Sequence, residues 1–102
     1  MALFQTQLGT SATRVFDPSE DSAVTTLFLC NTHSAEITVT LYLINGSGTP
    51  DDTNAIWKDV AIASKDTFVM NNERVILAAA DFIKGLASVA SKVTVTGTYT
   101  TI

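Results

Sequence analysis

Two stretches of the chain alternate apolar and polar residues without interruption. In Ile37–Ile44, Ile37, Val39, Leu41 and Leu43 fall on one parity, and Thr38, Thr40 and Tyr42 on the other. A period of two with one threonine face predicts a half-buried antiparallel strand. Residues 93–102 repeat the pattern, with Val93, Val95 and Tyr99 opposite Thr94, Thr96, Thr98 and Thr100. A threonine row favours β structure yet stays soluble, which suits an open sheet face or an edge. Val24–Cys30 is β-branched and aromatic, and its end is apolar on both parities. Such a strand is covered on both faces, or covered on one and in touch with a partner on the other. Joined through Asn31-Thr32-His33-Ser34-Ala35-Glu36, Val24–Cys30 and Ile37–Ile44 read as a central β-hairpin.

The remaining segments repeat short β-rich runs broken by small polar turns. Residues 45–54 form a turn-rich loop, in which Asn45-Gly46 tolerates positive φ and Pro50 blocks pairing. Ile56–Ile62 puts Ile56, Val60 and Ile62 on one parity, but Lys58 shares that face and Trp57 lies opposite; a bulge near Trp57-Lys58 resolves the conflict. A turn at 63–66 precedes the strand Thr67–Met70, and Asn71-Asn72 turns into Arg74–Leu77. Between Ile76 and Ala90 the pattern is double. Ile76, Ala80, Ile83, Ala87 and Ala90 lie at helical spacing, whereas Gly85 would stand inside that helix at a cost of roughly 1 kcal/mol. The regular strand spacing on either side favours strands at Val75–Leu77 and Phe82–Ser88 with turns between them. Residues 1–23 are the least regular part, with Val15-Phe16 a short apolar pair before Asp17-Pro18. They read as an edge strand and loop, or as an extended arm reaching a neighbouring subunit.

These elements predict an all-β chain: one antiparallel β-sandwich, jelly-roll-like, of about eight short strands. With 102 residues there is material for one domain, 1–102, with one core. Hydrophobic residues make up 46% and charged ones 16%, so the body of the chain is not of disordered type. The net charge is −4, and Arg14, Lys58, Lys65, Arg74, Lys84 and Lys92 are scattered, which argues against nucleic acid or an anionic membrane as partner. The first residues lack the basic and apolar regions of a signal peptide, and no apolar run approaches the length of a bilayer span. Asn45-Gly46-Ser47 matches a glycosylation sequon but reads as a turn.

Candidate chemistry is sparse. The single cysteine, Cys30, excludes an internal disulfide and reads as a small buried hydrophobe. The single histidine, His33, stands beside Ser34 in a turn, and adjacency in sequence does not make a triad. One Cys and one His fall short of a zinc site. Asp51-Asp52 lacks the spaced ligands of a calcium loop, and the turn aspartates, Asp66 and Asp81 among them, are of the kind that bond local backbone. The reading is of a protein without enzymatic activity or cofactor, whose off-pattern apolar residues serve association. The interface candidates are Trp57, Tyr42, Phe28, Phe4 and Phe16. Trp and Tyr are the types most enriched at hot spots, and Trp57 is the foremost candidate; Phe28 and Ile44 read more readily as completing the sandwich core.

The order of the pieces resembles a family of small virion proteins of tailed bacteriophages. The matching stretches are Thr26–Thr32, Ile37–Leu43, the Gly-Ser loop, Thr53–Ile56, the turn at Ile62–Thr67, Ile76–Asp81 and the terminal Val- and Thr-rich strand, together about residues 24–102. The family's common Gly-Asp turns are replaced by Lys65-Asp66 and Ala80-Asp81. The resemblance implies a capsid decoration (cement) protein on the outside of the major capsid lattice, a homo-oligomer in the virion made in the host cytoplasm. The alternative it leaves is a tail, fibre or baseplate module contacting tail proteins, with Trp57 and Tyr42 stacking on host-surface glycan.

Overall fold

The computed structural model describes residues 2–46, 48–70 and 75–102. They form nine strands and no helix: β1 (Ala2–Gln7), β2 (Thr13–Phe16), β3 (Ser22–Asn31), β4 (Ile37–Ile44), β5 (Ala55–Ile62), β6 (Thr67–Met70), β7 (Val75–Leu77), β8 (Phe82–Ala87) and β9 (Val93–Thr101). The strands make two antiparallel sheets packed face to face, a β-sandwich. The first sheet runs β1-β9-β3-β6, with β7 pairing to β3 beyond β6; the second runs β2-β8-β4-β5. The stretch 76–90 resolves into β7, a turn and β8, as the flanking strand spacing favoured. The turn at Asn71-Asn72 and the start of the following strand at Arg74 lie outside the described residues, as does Ser47.

The expected central hairpin is not there. β3 and β4 occupy opposite sheets and do not pair with each other. The inward set of β3, Val24, Leu27 and Leu29, faces that of β4, Ile37, Val39 and Leu41, and all six are fully buried. Set face to face, the two rows bury each other across the sandwich. The connection is held open as an arch by Asn31. Its Nδ2 donates to the carbonyls of Ala35 (3.0 Å), Ile62 (2.9 Å) and Ala63 (3.2 Å), and its Oδ1 accepts from His33 N–H (2.9 Å). One fully buried amide thus ties β3, the arch and the end of β5 together.

β5 departs from simple alternation at the expected place. Its register on β4 shifts between Val39/Leu41 and again between Leu41/Tyr42. Asp59 takes a left-handed φ of 51°, stabilised by its N–H donating to Thr40 Oγ1 at 3.0 Å. The extra residues rotate Trp57 onto the inward face, where it packs on the core with Val60, and leave Ile56 exposed. The parity read from the sequence, with Trp57 opposite Val60 and Ile62, is therefore corrected by the bulge.

Aromatic residues close both open sides of the sandwich. On one side Phe4 of β1 stacks on Phe16 of β2 at 4.4 Å, with Tyr99 at 4.7 Å from Phe16. On the other, Trp57 of β5 stacks on Phe68 of β6 at 4.7 Å. Each pair joins the two sheets where they share no backbone hydrogen bonds, and such pairs add about 0.5–1.5 kcal/mol beyond the area they bury.

Candidate interaction surface

The outward face of the first sheet is built from four cross-strand rows. Register pairs Leu3 with Thr98 and Thr98 with Thr26; Gln5, Thr96, Phe28 and Val69 form the next row; Gln7, Thr94, Cys30 and Thr67 the third; and Thr100, Ala23 and Ile76 the last. Among the described residues none of these carries a charge, on a chain where 16% of residues do. The face is apolar on its β3-β6-β7 side, where Phe28 is 38%, Val69 43% and Ile76 69% exposed. Toward β1 it carries amides and hydroxyls beside Leu3, which is 63% exposed, with Gln5 Nε2 donating to Thr96 Oγ1 at 3.1 Å and Gln7 Nε2 to Thr94 Oγ1 at 3.4 Å. Thr25, the extra residue of a bulge in β3, shares a 2.6 Å hydroxyl bond with Thr98.

Over β4 and β8 the second sheet's outward face is covered by its own chain, while Ile56 of β5 stays 38% exposed. Tyr42, Ile44 and Phe82 form a small second core there, with Ala12, Ala55 and Leu86 packed on it. Gly48 lies so close that a Cβ on it would come within 3.1 Å of Ile44 Cγ2. The Arg14 guanidinium sits 4.1 Å over the Phe82 ring and is paired with Asp17 at 2.7 Å. Asp81 binds the adjoining loops together, accepting from Gly46 N–H and Ala78 N–H at 3.1 Å each.

The five interface candidates therefore separate. Phe28 is on the open face of the first sheet, rather than in the sandwich core where its apolar parity pointed. Tyr42 is buried on the covered face of the second sheet, while Trp57 points inward from β5, so the two do not form a joint platform. Phe4 and Phe16 are brought together, but as the inter-sheet stack that closes one side. Ile44 is buried, though beneath the second sheet's outer cover and not between the sheets. Sequence reasoning passed over Val69 and Ile76, whose short strands gave too few residues for parity to place them.

The other polar candidates serve the fold. Cys30 is half-buried on the outward face, not in the core, because it pairs with Thr94 and Thr67 in a surface row. His33 is half-buried in the arch, its N–H on Asn31 and its carbonyl accepting from Ser64 Oγ at 2.9 Å. Asp51 accepts from the N–H (2.9 Å) and hydroxyl of Thr53, which hold its carboxyl below the ordinary carboxylate range. Lys58 pairs with Asp52 at 2.7 Å, which raises its pKa. Among the described residues no three His, Cys, Asp or Glu side chains gather as metal ligands, and every buried side-chain polar atom has a hydrogen-bond partner. A depression of about 150 Å³ lies between Leu43–Asn45, Ile76, Leu77 and Asp81.

No protein-family model matches the chain, and neither a curated protein nor a solved structure is significantly similar to it.

Proposed function

We propose that this chain is a non-enzymatic structural protein of a tailed-bacteriophage virion, binding the outside of the major capsid lattice as a homo-oligomer. The observation that carries the reading is the outward face of the first sheet, uncharged among its described residues, with Phe28, Val69 and Ile76 exposed on it. Charged residues are depleted at the centres of protein interfaces, because desolvating them is costly. The strand order supports a jelly roll: β1-β9-β3-β6 faces β2-β8-β4-β5, so that first and last strands are neighbours and, among the described residues, β4–β5 is the one pair of consecutive strands that are neighbours in a sheet. Jelly rolls are common among viral capsid and lectin domains. A fold of this kind does not specify an activity; the capsid assignment leans on the sequence resemblance over residues 24–102.

Counting copies in complete virions and in heads lacking tails tests the reading. A decoration protein is retained on tailless heads in numbers that scale with the capsid lattice. Its absence from such heads, with retention on isolated tails, would replace the reading by a tail or baseplate module.

A further inference from the structure

A sandwich of two open sheets has four edges, and three of these are visibly obstructed. β2 carries a bulge at Val15 and the Arg14–Asp17 ion pair. β5 carries two register shifts, Lys58 and Asp59. The edge beyond β3 is divided between the short strands β6 and β7. Bulges, charges and short strands are the usual means of keeping an edge from pairing. β1 has none of them. Ala-Leu-Phe-Gln-Thr-Gln pairs with β9 in unbroken register from Ala2↔Tyr99 to Gln7↔Thr94, without charge or proline.

The phase of its backbone follows from the next residue, whose Leu8 N–H donates to Val93 O at 3.0 Å. Even-numbered residues thus turn their peptide groups toward β9, and Leu3, Gln5 and Gln7 turn theirs outward. Among the described residues nothing accepts from or donates to those outward groups. The glutamine side chains are drawn back over β9 by Thr96 and Thr94, which leaves the outward row of peptide groups unobstructed.

We propose that two copies of this chain pair edge to edge through β1, antiparallel about a two-fold axis at Gln5. Identical antiparallel strands satisfy such an axis by construction. Of the available registers, the one centred on Gln5 engages every outward N–H and C=O of the strand: Gln5 meets Gln5 of the second copy, and Leu3 meets its Gln7. Each copy carries a net charge of −4, and β1 is an uncharged edge at which they can approach. The first sheet then runs continuously through both copies, with both Phe28–Val69–Ile76 patches on the same side. This deepens the homo-oligomer part of the function proposed above but stands on the edge geometry alone.

Sedimentation of the full chain over a concentration series tests it. The expected species is a dimer, with Gln5→Lys, which sets two like charges opposite each other, weakening association roughly tenfold or more. Gln5→Pro, which removes an outward N–H and leaves the β9 ladder intact, has the same effect. In a Cys30→Ser background, Gln5→Cys oxidises to a covalent dimer at least about tenfold faster than Ala61→Cys on β5, since antiparallel bonded pairs lie within disulfide reach. A monomer at every concentration, or an odd-numbered oligomer, overturns the proposal. So does an oligomer indifferent to both Gln5 variants and broken by Phe28→Lys, which would make the sheet face the contact. None of these outcomes alters the copy number on heads, so failure here is distinguishable from failure of the virion reading.

Discussion

The two sheets bury the same kind of inward residue and differ on their outward sides. The second sheet carries a further apolar layer of Tyr42, Ile44 and Phe82, roofed by its own loops and ringed by Arg14, Lys84 and Asp59. Among the described residues the first sheet leaves Phe28, Val69 and Ile76 in solvent on an uncharged ground, and its β1 edge unpaired. Both outward faces are apolar in part, but only the second is covered from within, over β4 and β8. Where a chain covers one such surface and leaves the other bare, the bare one is where an external partner gains the most from burial.

Matched truncations give the largest test of that contrast. Ile44→Ala removes a fully buried side chain from beneath the second sheet's cover and should cost about 2–4 kcal/mol in denaturant unfolding. Phe28→Ala on the other face should change monomer stability by less than about 1 kcal/mol. Equal losses at the two sites would break the comparison.

Asn31→Ala should follow, at about 1–3 kcal/mol, because it strands three carbonyls and the His33 N–H at the arch between the sheets. Gly97→Ala probes how β1 is seated. A Cβ there would run into the Phe4 ring, so the ring must leave its stack on Phe16. A loss of about 1–3 kcal/mol is expected, with near-ultraviolet circular dichroism reporting the displaced aromatics.

The smallest effect is a pH dependence on the second sheet's side. Hydrogen bonds from Thr53 hold the folded Asp51 carboxyl below its unfolded value. Their contribution is complete above the unfolded pKa and is lost as pH falls through the folded one. Because the group is fully exposed, acid titration of the Asp51→Asn variant should differ only slightly from wild type, and only in the acid limb.

The alternation in Ile37–Leu43 and Val93–Tyr99 was sufficient to place those strands, and with the regular turn spacing it gave the sandwich. Parity says which side of a strand is buried, not which sheet the strand belongs to, so Val24–Ile44 read as a hairpin when it is an arch. Trp57 is a different case: a bulge near Trp57-Lys58 is expected from the clash of parities, but alternation does not say to which face the bulge turns Trp57, and Asp59 at positive φ settles that. The burial of Tyr42 and Ile44 depends on residues 12 and 55 and the nearby Gly48 folding over them, contacts that strand alternation does not carry. The open surface was legible in part. Phe28 stood out by parity, but Val69 and Ile76 belong to strands of four and three residues, too short to show a period.

Residue-resolved amide exchange along β1 tests most directly the claim that the first sheet is the side open to partners. In dilute solution Phe4 and Thr6, bonded to β9, should be protected, and Leu3, Gln5 and Gln7 should exchange freely. On raising the protein concentration those three amides should become protected together, while β5 on the opposite sheet is unchanged. Free exchange of Leu3, Gln5 and Gln7 in an assembled sample, or new protection at β5 in their place, would contradict the account.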